Sequence, residues 1–300
     1  MSKPLSRAPE WGTFLLILSC YGLWFVALAL LPDVSLFLTV IVSSVLIAFH
    51  SSLTHEALHG HPFRSKMLNE TLMAAQLNMA IPYNRFRDTH LAHHQDESLT
   101  DPYDDPESNF LDPAAWREMP RWKRRLYRAN NTLLGRILLG PMIGQCCFLA
   151  SDARAAWRGD RSVIWAWALH VPGVVMVVWL VSLTSMPFWA YCIAAYLGLG
   201  LVKVRTFLEH RAHDQMHART VVVEDRGPLA FLFLNNNFHV VHHLHPGVPW
   251  YALPKLYRER QSDFSDANEG YIYPSYRDVF RRYFLRGKDP VPHPLWHSGE

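Results

Sequence analysis

The chain has 300 residues, of which 50% are hydrophobic and 13% aromatic, and a formal net charge of +3; that length suits one large domain or two small ones. Its four cysteines include no CxxC pair, which excludes a disulfide framework and an iron–sulfur or rubredoxin centre. A charge this close to neutral gives no reason to expect a nucleic-acid partner.

The apolar residues come in blocks. Residues 12–31 and 34–50 contain no Lys, Arg, Asp or Glu, and about 20 apolar residues suffice to cross a bilayer core. Pro32 and Asp33 leave room only for a tight hairpin. The first block is too long for a signal-peptide core and lacks a small-residue cleavage site, so it reads as a retained helix. A second hairpin is predicted at 163–183 and 186–207, turning at Thr184 and Ser185. Neither turn contains Lys or Arg, whereas Lys3 and Arg7, the Arg-rich 51–162 segment and the tail are positive. By the positive-inside rule both termini, 51–162 and 208–300 face the cytoplasm. Residues 67–83 and 133–149 are apolar but interrupted by Glu70 and Arg136, and read as helices lying partly embedded along the surface. The expected fold is therefore all-α and integral to the membrane: one domain over 1–300, with four transmembrane helices in two hairpins and a cytosolic helical cap.

Most of the 17 histidines are clustered. HEALH supplies His55 and His59, HLAHH supplies His90, His93 and His94, and HVVHH supplies His239, His242 and His243. Chance would produce one HxxHH roughly 0.06 times in such a chain, so two are not coincidental. On a helix, positions i, i+3 and i+4 share a face, so each box directs imidazoles to one place. All eight residues emerge on the same side of the predicted topology. His210, at the end of the fourth span, is the expected ninth ligand, with His213 in reserve. His50 and His61 read as supporting or interfacial residues, His170 as packed within its span, His217 and His245 as solvated or supporting, and His293 and His297 as tail residues.

His55, Glu56 and His59 also fit the zinc-protease pattern HExxH. A protease of that kind needs one further ligand and would leave six clustered histidines without a role. Glu56, one residue from His55, points off the metal-facing side and is at most a hydrogen-bond acceptor behind it. Soluble di-iron bundles need two Glu-x-x-His pairs, and only Glu56 with His59 has that spacing. A metal transporter fits poorly because the boxes lie outside the spans. Eight or nine imidazoles exceed the needs of one ion and imply two, but imidazole alone does not choose among iron, copper, nickel and zinc.

The three boxes, on one side of a four-span chain, resemble those of the membrane-bound fatty acid desaturase superfamily over about residues 40–260. NFHVVHHLHPGVPWY, residues 237–251, is similar to that family's third box. The resemblance implies two iron ions held by His55, His59, His90, His93, His94, His210, His239, His242 and His243, with dioxygen as co-substrate and no catalytic residue beyond these ligands. It implies oxidation of unactivated C–H bonds in a lipid, with a double bond introduced into a fatty acyl chain as the leading outcome. A lipid or small-molecule hydroxylase or ketolase, including carotenoid-type oxygenases, is the alternative. Electrons would come from a separate ferredoxin or similar carrier with its reductase. Residues 117–128 (REMPRWKRRLYR) would dock such a carrier or, more plainly, contact anionic lipid. Residues 100–110 (TDPYDDPESNF) read as a loop over the site. Trp165, Trp167, Trp179 and Trp189 would line a substrate tunnel or serve as ordinary membrane anchors.

Overall fold

The computed structural model describes residues 8–95 and 99–296; Lys3, Arg7 and His297 lie outside them. The chain is mostly helical, at 64%. In order come α1 (Trp11–Leu30), α2 (Leu36–Leu58), α3 (Lys66–Leu72), α4 (Tyr83–Gln95), α5 (Pro113–Glu118), α6 (Arg121–Asn130), α7 (Leu133–Trp157), α8 (Arg161–Ser182) and α9 (Phe188–Thr206). After them come β1 (Val222–Val223), α10 (Pro228–Leu232), α11 (His239–Leu244), α12 (Leu253–Glu259), α13 (Gln261–Ala267), β2 (Ile272–Tyr273) and α14 (Tyr276–Tyr283). Strands β1 and β2 pair in parallel, with Val222 opposite Ile272.

The chain forms two compact units. The first comprises Met1–Arg87, Pro141–Val202 and Gly247–Pro249, and the second Asp88–Gly140, Lys203–Pro246 and Trp250–Glu300. The core of the first unit joins Trp24 and Leu28 of α1, Ile47 of α2, Val177 and Val181 of α8, and Ala190, Tyr191 and Ala194 of α9. Glycine permits the close approaches in this core. A Cβ at Gly198 would meet the Ser44 carbonyl at 2.9 Å, and one at Gly173 would come within 2.2 Å of the Ala74 carbonyl. Local signals set the helix starts: Ser35 accepts from the Leu38 amide, and Asp160 accepts from the amides of Ser162 and Val163, occupying donors that a first turn cannot satisfy itself.

Among the described residues, five helices are long and apolar enough to cross a membrane: α1, α2, α7, α8 and α9. The sequence predicts four spans and a partly embedded helix over 133–149; that segment is helical and continues into the 25-residue α7. The charges that interrupt its apolar run are paired. In the second unit, Arg136 donates to the Asn130 carbonyl at 3.0 Å and to Asn109, and lies over the Phe207 ring. In the first, Asp152 accepts two bonds from Arg85, at 2.9 and 2.8 Å, and one from Trp167 at 2.8 Å. Residues 67–83 also differ from expectation, because the helix stops at Leu72 and 73–82 is non-helical, with Met73 and Leu77 fully buried.

The tryptophan tunnel is not formed as read from sequence. Trp165, Trp179 and Trp189 are 64%, 58% and 61% exposed, so they face outward from the apolar helices, and Trp167 is held by Asp152. The four cysteines are free.

Gly173→Ala tests the close packing in the first unit. The added methyl has no space beside the Ala74 carbonyl, so overpacking is expected to destabilise the protein by about 1–3 kcal/mol. A lower thermal midpoint in detergent, relative to Gly12→Ala in an open position, is the expected result.

Candidate metal centre

The second unit carries two of the three histidine boxes. In α4, His90 and His94 are four residues apart and share a face, with His93 displaced beside them. Helix α11 repeats the pattern: His239 and His243 are the pair and His242 is displaced. The structure splits both boxes along this line. His93, His210, His239 and His243 each bring a nitrogen within 4.8 Å of the others. His90, His94 and His242 form a separate set, with His94 Nε2 3.0 Å from His90 Nε2 and 3.1 Å from His242 Nε2. Each helix therefore gives a pair to one set and a single imidazole to the other. In the first unit, His55 and His59 lie at the end of α2 with ring centroids 4.9 Å apart.

Backbone pairing fixes His210 and α11. Residues 219–223 run between them: the Arg211 amide donates to the Arg219 carbonyl and the Val221 amide to that of Glu209, while the Val223 amide donates to the Asn237 carbonyl and the Val240 amide to that of Val221. The ring of His210 comes to 3.0 Å (Nε2 to Nε2) from His93 and 3.2 Å from His239. His213, the reserve candidate, lies outside this set and sits 3.5 Å from Glu269.

These separations suit a bound ion. Two nitrogens each about 2.1 Å from one metal stand ~3.0 Å apart at a right angle and ~3.4 Å apart at the tetrahedral angle. The observed 3.0–3.2 Å lies in the range that two ligands of one ion span. His243 Nε2 is buried without a hydrogen-bond partner among the described residues. Leaving such a nitrogen unsatisfied costs about 1–3 kcal/mol, and a metal ion would relieve it.

Burial also favours the ligand form of the imidazoles. It holds His210, His239 and His243 well below the ordinary histidine value and lowers His94 to about 3, with neighbouring imidazoles adding to the effect. A neutral ring keeps the lone pair that a metal needs. His93 goes the other way: burial lowers it, but Glu107 and Asp105 outweigh that and raise it to about 9.

Carboxylates on the 100–110 loop orient two of the rings. Asp105 accepts from His93 Nδ1 at 2.8 Å, and Glu107 lies 2.7 Å from His90 Nδ1. A proton held at Nδ1 leaves Nε2 free to face a metal. Asp105 also accepts from the amides of Thr100 and Glu107, both at 2.8 Å, so the loop folds around the carboxylate that steers His93. Burial raises the Glu107 carboxyl, but the charges of His90 and His93 outweigh it and hold the group well below the usual range. In the other box, Asn236 Oδ1 is 3.3 Å from His239 Nδ1. Asp105, Glu107 and Asn236 have no motif of their own; the only sequence signal was the concentration of acids in 100–110.

The remaining histidines have other partners. His50 Nε2 is 2.8 Å from the Tyr21 hydroxyl, His61 Nδ1 2.6 Å from Glu10, and His170 Nε2 3.0 Å from the Met79 carbonyl. His217 is 3.7 Å from Glu269, and His245 packs against Phe264. His293 is not the tail residue expected: it is buried, with Nε2 3.0 Å from Thr100 Oγ1, because the chain after α14 folds back and pairs its backbone with Leu111. Glu56 is buried and belongs to neither set.

The profile of a family described as Fatty acid desaturase matches residues 32–275. No curated protein matches the chain.

Asp105→Asn should keep much of the loop while weakening the hold on His93. Loss of such an outer partner typically reduces metal affinity 10–100-fold, and competition with a chelator is expected to show a decrease of about that size.

Proposed function

The chain belongs to the fatty acid desaturase family, and on that premise we propose that it is an oxygen-dependent di-iron oxidoreductase that introduces a double bond into the acyl chain of a lipid. The carrying observation is the reciprocal division of the HxxHH boxes, which gives two separate imidazole sets, as two ions require. In this reading His93, His210, His239 and His243 hold one iron. His90, His94 and His242 hold the other, and the family resemblance assigns His55 and His59 as iron ligands as well.

Di-iron with dioxygen supplies an oxidant able to remove hydrogen atoms from a methylene, which acid–base groups cannot attack. The residues of the chain do the rest: burial keeps His94, His210, His239 and His243 neutral, and Asp105 and Glu107 fix the rings of His93 and His90. Overall, RCH2CH2R′ + O2 + 2 electrons + 2 protons gives the alkene and two waters. The sequence has no haem, flavin or iron–sulfur motif, so the electrons come from a separate ferredoxin-like carrier with its reductase. The exposed Arg121, Arg125 and Arg128, at i, i+4 and i+7 on α6, give an acidic carrier a positive face.

The same ligands bear on topology. His93 precedes α7 and His210 follows α9, yet their Nε2 atoms are 3.0 Å apart. The intervening chain must then cross the bilayer an even number of times, so only two of α7, α8 and α9 span it. We assign the crossings to α8 and α9, whose turn lacks Lys and Arg. Helix α7 stays embedded from one face, because it carries Arg136 near one end and Arg154 near the other, with Arg158 just past it. With α1 and α2 this gives four spans, both termini and the centre lying on the cytoplasmic side.

Expression with a reconstituted carrier, followed by mass spectrometry of lipids, tests the reaction. A product lighter by two hydrogens is expected, absent in His93→Ala and His242→Ala, whose membrane insertion should be unchanged; both should retain less than about 1% of activity, since losing a ligand exceeds the 10–100-fold effect of an outer partner. A product heavier by one oxygen would replace desaturation with hydroxylation. Metal analysis should find about two irons per chain. Chelation should abolish turnover and ferrous iron restore it, whereas a single zinc would refute the di-iron reading.

A further inference from the structure

The chain after α14 returns across the second unit and is fastened there at successive points. The Leu134 amide donates to the Phe284 carbonyl at 3.0 Å, and the Lys288 amide to the Asn131 carbonyl at 3.4 Å. Asn131 Nδ2 donates in turn to the Asp289 carbonyl. Further along, the Leu111 amide donates to the Val291 carbonyl at 3.0 Å and the His293 amide to that of Leu111 at 2.8 Å. His293 Nε2 then lies 3.0 Å from Thr100 Oγ1, on the loop whose Asp105 steers His93. Residues 284–293 thus join the end of α6 and the start of α7 to that loop.

Between these ties one charged side chain turns inward. The Lys288 side chain is 8% exposed, and an ammonium taken out of water is costly unless it is paired and hydrogen-bonded. Each of its three donors has an acceptor: the Asp289 carboxylate at 3.0 Å, the Tyr271 hydroxyl at 3.1 Å and the carbonyl of His210. Tyr271 extends the link, its hydroxyl donating to the Leu208 carbonyl at 2.8 Å.

The bond to His210 meets a need that the local backbone creates. His93, His239 and His243 sit on helices, whereas His210 lies four residues beyond the end of α9 and has no helical ladder to place it. It stands opposite Thr220 in an antiparallel bridge whose bonds are made by the neighbours on either side, Arg211 to Arg219 and Val221 to Glu209. In such a pair the amide and carbonyl of the central residue face away from the partner strand, so the His210 carbonyl must find its donor elsewhere. Lys288 supplies it, and the backbone that carries the imidazole is held from both sides. We propose that residues 284–293 are a strap that completes the metal centre, with Lys288 the positioning residue that keeps His210 in the set of His93, His239 and His243. This rests on the di-iron reading and assigns Lys288 to one of the two irons.

The test uses the full chain in detergent, loaded with iron: wild type, Lys288→Met, Lys288→Gln and, as a control at an exposed position on α14, Arg281→Gln. Iron release to a ferrous chelator is followed in time and stoichiometry, and the thermal midpoint of each metal-free protein shows whether it folds. Lys288→Met removes the donors with little change of volume. In that variant one iron per chain is expected to bind about 10–100-fold more weakly, as when an outer partner is lost, while the other is released at the wild-type rate. Lys288→Gln keeps an N–H donor and is expected to fall between Lys288→Met and wild type; it is read in place of Lys288→Met should that variant fail to fold. Arg281→Gln is expected to match wild type. Wild-type release in the Lys288 variant overturns the strap, as does equal weakening of both irons, the mark of a merely structural role. Wild type that holds fewer than two irons overturns the di-iron reading, and the assignment of Lys288 to one iron falls with it.

Discussion

Polar groups inside an apolar bundle must find partners within the chain, and the structure depends on meeting that constraint. In hydrocarbon an unsatisfied carbonyl or charge costs several kcal/mol, more than a small rearrangement elsewhere. The first unit meets the requirement with side chains: Tyr21, Gln145, His170 and Tyr191 cover the carbonyls of 72–82, and Arg85 with Trp167 covers Asp152. Each of these polar residues looks out of place in its own helix. Each is explained by a group from a distant part of the chain, and removing any one of them leaves a buried partner exposed to apolar surroundings.

The histidine sets meet the same constraint by different means. Burial favours neutral rings at His94, His210, His239 and His243, whose nitrogens then offer a lone pair, and one of them, His243 Nε2, has no hydrogen-bond partner among the described residues. Carboxylates would be the simple counter-charge for a cation, but here they stand one step back. Asp105 and Glu107 engage Nδ1 of His93 and His90, leaving Nε2 to form the sets. Negative charge behind the rings stabilises a cation in front of them and fixes ring orientation at the same time. The 100–110 loop is therefore part of the centre, although it supplies no ligand to it.

How much of this was legible follows from where each signal lies. The hairpins α1–α2 and α8–α9 could be read because their apolar runs are uninterrupted. The apolar run of 133–149 was legible as a partly embedded helix despite Arg136, but its continuation to Trp157 was not, because the pairing of Asp152 with the distant Arg85 leaves no local trace. The histidine boxes were legible because i, i+3 and i+4 is a helical period. His210 could be placed by its position at a span end, and the structure sets it among the imidazoles while His213 faces Glu269. What spacing could not give was the division of each box, since an HxxHH on one face serves one ion or two equally well until the second helix is seen. His293 was misjudged because tail position says nothing about a chain that folds back.

The offset of the displaced imidazole explains why this spacing recurs. Successive residues on a helix are turned by about 100°, so i and i+4 differ by about 40° while i+3 falls about 60° to the other side of i. A pair at i and i+4 can therefore converge on one point while i+3 reaches past it to a neighbour. Two such helices that exchange roles, one giving its pair where the other gives its single, build two ligand sets from six histidines without any residue serving both. His93 and His242 are the exchanged residues here. Each ties its own helix to the set anchored by the other, so movement of α4 against α11 would disturb both sets together. An arrangement built this way keeps the two sets in fixed register by geometry alone.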